Sequence, residues 1–216
     1  MNPDRINLRT EIVDVVIGGT TYHLERVADI DPLLNSITPE EFEKDERLPY
    51  WAQLWSSSVA LSRYLDRKIP VGKSFLEIGA GLGLASAVAS EKFLKVLCTD
   101  YESGALAFAE RNAKRNKVRI DRMKFEMLDW RDDGALGKFD VIAASDILYE
   151  KRSVRPVLRF LQRHVGTAAV VADPNRSTAD GFFRLAEDSF VVEIESEEVH
   201  LDGITTSVRV ALLTHR

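Results

Sequence analysis

The segment "LEIGAGLGLA", residues 76–85, sets three glycines between an apolar run and a helical run. Glycine lets a backbone turn sharply and approach a ligand closely, and the following helix directs its N–H groups and positive end there. The spacing is E-x-G-x-G-x-G, with Leu84 where a dinucleotide fingerprint requires glycine, and no G-K-S/T follows. The segment predicts a ligand-binding turn that many nucleotides would suit, with candidate residues Glu77, Gly79, Ala80, Gly81 and Gly83.

Two acids follow the next two strands. Asp100 lies 21 positions after Gly79, where a carboxylate can accept hydrogen bonds from both hydroxyls of a ribose. Asp129 and Trp130 end the third strand, so they can accept from an adenine amino group and lie against its ring. The alternatives are a helix N-cap for Asp100, a solvated loop acid for Asp129 and hydrophobic cover for Trp130.

Asp146 and Tyr149 follow the fourth strand, within "FDVIAASDILYE", residues 139–150. A carboxylate directly after an apolar strand needs a partner, which favours a functional role for Asp146. Tyr149 has a simpler alternative, because it could cap the strand.

The elements that carry these residues alternate between strands and helices from residue 74 onward. Alternation of this kind predicts an α/β fold, a doubly wound sheet that is mostly parallel. The last two runs read as an antiparallel pair, so we expect seven strands with the last one antiparallel. Outside the sheet we expect an N-terminal β-hairpin of residues 11–17 and 20–27, a capped helix at 38–46, and a helix from about Trp55 or Ser56 to Arg67.

The 216 residues are 45% hydrophobic and carry a net charge of −5. We expect a single domain, with residues 1–48 as an accessory segment and 49–216 as the core. A weakly acidic chain is a poor binder of nucleic acid. The lone Cys98 favours a reducing compartment, the cytoplasm, and no apolar segment indicates a signal peptide or a membrane span. The four scattered histidines predict no metal site.

These motifs resemble the class I, seven-strand S-adenosylmethionine-dependent methyltransferases, whose fold is Rossmann-like. The similarity is strongest to their protein-lysine methyltransferase branch, which includes enzymes acting on chaperones, elongation factors and the electron-transfer flavoprotein β subunit. Pro49 to Leu65 closely follow the leading segment P-Y-W-x-x-L-W-x-S-x-x-L-x-x-Y-L of that branch, and Asp146 to Tyr149 match its D/E-x-x-Y/F motif. The resemblance covers about residues 45–175.

The resemblance implies S-adenosyl-L-methionine as cofactor, with Trp55 and the serines after it closing the methionine end. An indole face attracts a cation such as a sulfonium by roughly 0.5–2 kcal/mol. Tyr101 and Ser145 join the cofactor-binding candidates. For Trp55 the alternative is core packing, and we expect Trp51 in the core or in a substrate cleft.

Methyl transfer is an in-line displacement, so the protein must align a neutral nucleophile and exclude water. The resemblance makes Asp146 and Tyr149 the catalytic candidates, with Asp146 holding an incoming ammonium and Tyr149 supplying a ring face or hydroxyl. A nearby carboxylate also opposes loss of the proton, so we assign Asp146 to binding and orientation. The turn from Asp173 to Arg176 either shapes the substrate mouth or lets Asn175 or Ser177 cap the next helix.

The sequence therefore predicts an S-adenosylmethionine-dependent enzyme that methylates a lysine side chain of a protein. A small-molecule amine is the alternative acceptor on the same fold. A non-catalytic binding module is a second alternative, against which the intact Gly79, Gly81 and Asp100 speak. An NAD-dependent dehydrogenase is disfavoured by Leu84. We expect neither a nucleic acid nor a membrane as partner.

Overall fold

The computed structural model describes residues 8–35, 37, 48–132 and 136–216. The strands in these ranges are β1 (Thr10–Ile17), β2 (Thr20–Val27), β3 (Gly72–Ile78), β4 (Phe93–Asp100), β5 (Met123–Met127), β6 (Phe139–Ser145), β7 (Val165–Asp173), β8 (Phe190–Leu201) and β9 (Ile204–His215). The helices are α1 (Asp31–Leu34), α2 (Ser56–Lys68), α3 (Leu84–Ser90), α4 (Ser103–Arg115), α5 (Lys151–His164) and α6 (Ser177–Ala186). Short 3₁₀ turns cover Tyr50–Ala52 and Ile120–Arg122. Within the described ranges, no helix is long and apolar enough to cross a membrane.

Seven strands form one sheet in the order β5-β4-β3-β6-β7-β9-β8. The pairs from β5 to β7 are parallel, and β9 runs antiparallel to both of its neighbours. The predicted seven-stranded sheet with an antiparallel last strand is confirmed. The chain builds outward from β3 to β5 and then returns to β6 on the other side of β3. The strand order therefore reverses between β3 and β6, and open α/β sheets bind ligands at such a reversal.

The two faces of the sheet bury separate cores, because successive strand residues point to opposite sides. In β3, Phe75 faces one core and Leu76 and Ile78 face the other. The first core also takes side chains from α2, α3 and the hairpin, and the second takes them from α5 and α6. The central strands are thus apolar on both sides, which explains their near-continuous hydrophobic runs.

The predicted N-terminal hairpin is present as a separate two-stranded sheet of β1 and β2. It docks on α4 through two asparagines one turn apart. The side-chain amide of Asn112 accepts from the Glu25 N–H at 2.7 Å and donates to the Glu25 carbonyl at 3.2 Å. Asn116 does the same for His23 at 2.7 and 2.9 Å. Asn112 also donates to the Leu82 carbonyl at 3.1 Å, so the hairpin is tied to the glycine turn.

The helix predicted from about Trp55 or Ser56 to Arg67 is present as α2, with Trp55 as its N-cap and Trp51 in the preceding 3₁₀ turn. The structure differs from the sequence prediction in two other places. Strand β5 ends at Met127, which leaves Asp129 and Trp130 in the loop after it. The N-cap of α6 is Arg176, without a side-chain cap bond, so capping by Asn175 or Ser177 was wrong. The helix predicted at 38–46 lies outside the described residues.

Glu77, near the end of β3, connects the strand before the glycine turn to the helix after it. This fully buried carboxylate accepts from the backbone N–H of Ser86 at 2.8 Å and from its hydroxyl at 2.5 Å, which fixes the start of α3. Its second oxygen, Oε1, has no hydrogen-bond partner within the described part of the chain. Burial raises the pKa of Glu77 to about 7, because the two bonds from Ser86 only partly offset the lost hydration.

Glu77→Gln should change how stability depends on pH. The pKa of Glu77 rises from 4.5 to about 7 on folding, so its ionisation destabilises the native state as pH rises through this window. The full shift corresponds to about 3 kcal/mol. Urea unfolding between pH 5 and 8 should show the parent losing free energy of unfolding relative to the variant as pH rises. Asp100 titrates in both proteins, so the comparison isolates Glu77 together with its interaction with Asp100. A constant difference across the range would contradict the assignment.

Candidate active site

A cavity of about 560 Å³ opens at the carboxyl ends of β3, β4 and β6. This volume lies within the range of small-molecule sites. The glycine turn and the segment from Leu48 to Ser58 both contribute residues to its lining. The cavity therefore occupies the point where the strand order reverses, as the parallel sheet predicts.

Nine of the predicted cofactor residues line this cavity: Trp55, Gly79, Ala80, Gly81, Asp100, Tyr101, Asp129, Trp130 and Ser145. The other two, Glu77 and Gly83, are not among the residues that line it. Glu77 points under the turn to Ser86. Gly83 has φ +79°, and a Cβ there would lie 2.7 Å from the Cβ of Ala109 in α4. Both residues pack against the helices next to the turn. The E-x-G-x-G-x-G pattern does not distinguish residues that line the cavity from residues that hold the turn in place.

Asp100 joins the two strands that flank the cavity. One carboxylate oxygen accepts from the Gly81 N–H and the other from the Glu102 N–H, each at 2.9 Å. Burial raises the pKa of Asp100 to about 6, and these two bonds only partly offset it. Asp100 is not the N-cap of α4, since that position belongs to Glu102. A carboxylate has about four lone-pair sites, so each oxygen keeps acceptor capacity for a ligand hydroxyl.

An arginine that sequence reasoning overlooked holds the loop after β5. Arg131 donates through Nε and Nη2 to the Asp129 carboxylate at 2.9 and 2.8 Å. It also donates to the Tyr101 hydroxyl at 3.1 Å, with its guanidinium 5.2 Å from the centre of that ring. Trp130 reaches the glycine turn, because a Cβ on Gly79 would lie 3.7 Å from its ring. Asp129, Trp130 and Tyr101 are therefore neighbours in the lining of the cavity, and Arg131 joins Asp129 to Tyr101.

Three aromatic rings, one tryptophan and two tyrosines, contact one another in a row at the mouth of the cavity. Trp55 donates its indole N–H to the Tyr50 carbonyl at 2.8 Å, and the two rings meet edge to face at 5.9 Å. Tyr50 meets Tyr149 in the same way at 5.7 Å. The exposed fractions are 38% for Trp55, 40% for Tyr50 and 44% for Tyr149, which is unusual for rings of this size. We call Tyr50, Trp55 and Tyr149 the aromatic rim.

Trp51 lines the cavity as well and also packs against α4. Its ring lies 5.6 Å from that of Phe108 in α4, and a Cβ on Gly104 would come within 2.7 Å of it. Gly104 therefore leaves the space that this indole fills. Trp51 anchors the aromatic segment to the core while its neighbours remain at the mouth of the cavity.

Asp146 follows β6 in the left-handed backbone region, with φ +59°. Its N–H donates to the Ala172 carbonyl at 2.9 Å, which holds this turn against β7. The carboxylate lies on the cavity wall, accepts from the Ser57 hydroxyl at 3.3 Å and forms an ion pair with Arg176. Arg176 enters the sequence prediction only as the last residue of the turn from Asp173 to Arg176. Nothing in the linear pattern marks it as the partner of Asp146, 30 positions earlier.

Tyr149 also lines the cavity. Desolvation, reinforced by the charge of Glu150, raises the pKa of Tyr149 to about 12. Its hydroxyl therefore stays protonated at neutral pH and can donate a hydrogen bond, but it is a poor general base.

Comparisons with known proteins agree with this geometry. The family described as lysine methyltransferase matches residues 41–196. The electron transfer flavoprotein beta subunit lysine methyltransferase of Mus musculus is 30% identical over 173 residues, which cover 74% of this chain and 65% of that protein. Protein N-lysine methyltransferase METTL21A of Danio rerio is 29% identical, covering 73% of this chain and 75% of its own. The chain thus spans slightly less than two thirds of the mouse relative.

Solved structures support the fold alone, since their sequences have diverged widely. The N-methyltransferase NodS of Bradyrhizobium japonicum, in complex with S-adenosyl-L-homocysteine, has a TM-score of 0.59 at 15% identity, covering 87% of this chain and 93% of its own. The magnesium protoporphyrin IX methyltransferase of Synechocystis, with bound SAM, has a TM-score of 0.57 at 17% identity, covering 81% and 85%. The resemblance to the class I S-adenosylmethionine-dependent methyltransferases is therefore confirmed, and the chain belongs to the lysine methyltransferase family.

Proposed function

We propose that this chain transfers a methyl group from S-adenosylmethionine to the side-chain nitrogen of a lysine in a protein substrate. The observation that carries the proposal is one cavity with two kinds of wall. Gly81, Asp100, Asp146 and Tyr149 all line it. We assign the part beside Gly81 and Asp100 to the nucleoside, and the part beside Asp146 and Tyr149 to the acceptor. A cofactor and an acceptor could therefore meet inside the same space.

The cofactor part is assigned from hydrogen-bonding capacity. The free lone pairs of Asp100 would take the two ribose hydroxyls, and Asp129 would take the adenine amino group beside Trp130. Asp129 can do so while it keeps Arg131, since a carboxylate accepts several bonds. The aromatic rim brings Trp55 within reach of a sulfonium. Glu77 and Gly83 support this site without touching the cofactor.

The acceptor part explains how the reaction would proceed. The lysine nitrogen attacks the methyl carbon in line, the carbon–sulfur bond breaks, and the sulfur leaves as a neutral thioether. The nitrogen must first lose a proton, and its unperturbed pKa is near 10.4. Asp146 would orient the incoming group and Tyr149 would bound it with its ring and its protonated hydroxyl. Desolvation between the rim aromatics would lower the pKa of the amine, and the proton would leave to water.

A protein is favoured over a small amine as acceptor by the open rim. The aromatic rim is well exposed, as expected where a large partner rather than a buried metabolite brings the lysine. The printed names of the Mus musculus and Danio rerio relatives also refer to protein lysines. The small-molecule amine stays the alternative, since the same cofactor residues would serve it.

Two further expectations extend the proposal. A cytoplasmic location is supported by the single cysteine, Cys98, which is buried and unpaired with another thiol. The division into an accessory segment of residues 1–48 and a core of 49–216 is supported by the hairpin, which forms a sheet of its own.

Asp100→Ala should weaken binding of S-adenosylmethionine by roughly 1.5–3 kcal/mol, the value of charge-assisted hydrogen bonds. Isothermal calorimetry measures this directly. Tyr149→Phe is the matched variant on the same cavity, and it should leave cofactor affinity unchanged while it alters turnover. Unchanged affinity in Asp100→Ala would remove this acid from the site, and equal loss of affinity in both variants would contradict the division into two parts.

The function itself is tested with a cell lysate, the protein and cofactor that carries an isotopic label on its methyl group. Mass spectrometry should find the label on lysine side chains of one or a few proteins, and Asp100→Ala should abolish it. Label confined to small molecules would favour the alternative acceptor. Absence of any transfer by a protein that binds the cofactor in the calorimeter would favour the non-catalytic module.

A further inference from the structure

Arg176 lies where the proposed acceptor would bind. Its guanidinium lines the cavity and forms an ion pair with Asp146, the carboxylate to which the proposed function assigns the incoming ammonium. The side chain is about one-third exposed, while that of Asp146 is 11% exposed. The carboxylate of Asp146 is therefore already paired with a cation of the protein itself, the Arg176 guanidinium.

The backbone of Arg176 is fixed on both sides. Its N–H donates to the Asp173 carboxylate at 2.7 Å, and its carbonyl accepts from Arg209 at 3.1 Å. Asp173 is fully buried at the end of β7, and Arg209 comes from β9. Strand β9 thus helps to fix the backbone of Arg176, whose guanidinium forms part of the cavity wall.

Asp146 without a counterion would create a conflict in the proposed reaction. A carboxylate within about 4–6 Å stabilises an ammonium and raises its pKa by about 1–3 units. The same contact that attracts the lysine would hinder the loss of its proton. An adjacent guanidinium cancels most of this field, while the carboxylate stays available as a hydrogen-bond acceptor.

We propose that Arg176 is a positioning residue that neutralises Asp146, so that the rim receives a lysine side chain without holding its proton. This inference rests on the proposed function. It assigns Arg176 two opposite effects: it weakens binding of the charged ammonium form, and it eases formation of the neutral nucleophile.

The other charges around Asp146 do not supply this compensation. The other titratable groups at this end of the cavity and behind it are Asp173 of β7, Arg209 of β9, Tyr50 of the 3₁₀ turn, and Tyr149, Glu150 and Arg152 around the start of α5. Arg209 is engaged by Asp173 at 3.5 Å and by Asp180 at 2.5 Å. Arg152, in the first turn of α5, pairs with Glu150, the N-cap of that helix. Arg176 is the cation paired with Asp146 among the described residues.

The binding effect can be measured without turnover. The probe is Nα-acetyl-L-lysine methylamide, titrated at pH 7 by NMR into protein saturated with S-adenosyl-L-homocysteine. Arg176→Met should bind this ammonium roughly tenfold more tightly than the parent, the effect of about one pKa unit of unopposed charge. The norleucine analogue has the same chain length without the charge, and its affinity should not change.

Three variants separate charge from structure. Arg176→Lys keeps a cation and should match the parent, while the neutral Arg176→Gln should follow Arg176→Met and replaces it if that variant does not fold. Arg184→Met removes an exposed arginine from the same helix and should change nothing. Unchanged or weaker binding of the lysine probe in both neutral variants would overturn the proposal, as would an Arg176→Lys variant that behaves like them.

The kinetic effect uses the protein acceptor that the labelled lysate identifies. Arg176→Met should lower KM and lower kcat at pH 7, and the rising limb of kcat should move to higher pH by about one unit. A merely structural role would raise KM and leave the limb in place, which would overturn the proposal. If no acceptor is labelled in the lysate, the proposed function fails, while the probe titration still decides whether Arg176 neutralises Asp146.

Discussion

The hydrogen bond from the Gly81 N–H to the Asp100 carboxylate, 2.9 Å long, is the contact on which the site depends. It joins the turn after β3 to the end of β4, the two neighbouring strands that bound the cavity on one side. A left-handed turn, with φ +53° at Gly81, is needed to aim this N–H at the next strand. The parallel sheet brings the two strand ends to one edge, and the reversal of strand order leaves the space above them open.

Three acids, Glu77, Asp100 and Asp146, lie at this edge of the sheet or beneath it. A different set of groups stabilises the charge of each one. Glu77 receives two bonds from Ser86 and Asp100 receives two from backbone N–H groups, yet burial raises both pKa values. Asp146 accepts from the Ser57 hydroxyl and forms an ion pair with Arg176, so its charge is balanced by a side chain. The acids beneath the cofactor part are therefore held by fixed backbone and helix groups, whereas the acid at the acceptor end is held by an arginine.

Much of this arrangement could be read from the sequence because it is local. Strand and helix periods, the glycine turn and Asp100 each depend on residues within one βα unit, and resemblance supplied the D-x-x-Y motif. What stayed hidden depends on contacts between distant segments. The ion pair of Arg176 with Asp146, the asparagine pair that docks the hairpin, and the packing of Trp51 against Phe108 all join segments that are distant in the sequence. The glycine pattern also gave no means of separating Glu77 and Gly83, which support the turn, from Gly79 and Gly81, which line the cavity.

The central claim is that this cavity holds an adenosyl cofactor on Asp100. A crystal structure of the protein with S-adenosyl-L-homocysteine tests it most directly. The account predicts both ribose hydroxyls within hydrogen-bond distance of the Asp100 carboxylate, with Gly81 still bonded to it, and the sulfur directed towards Tyr149. A nucleoside bound elsewhere, or a ribose held by other groups while Asp100 contacts only its own backbone partners, would contradict it.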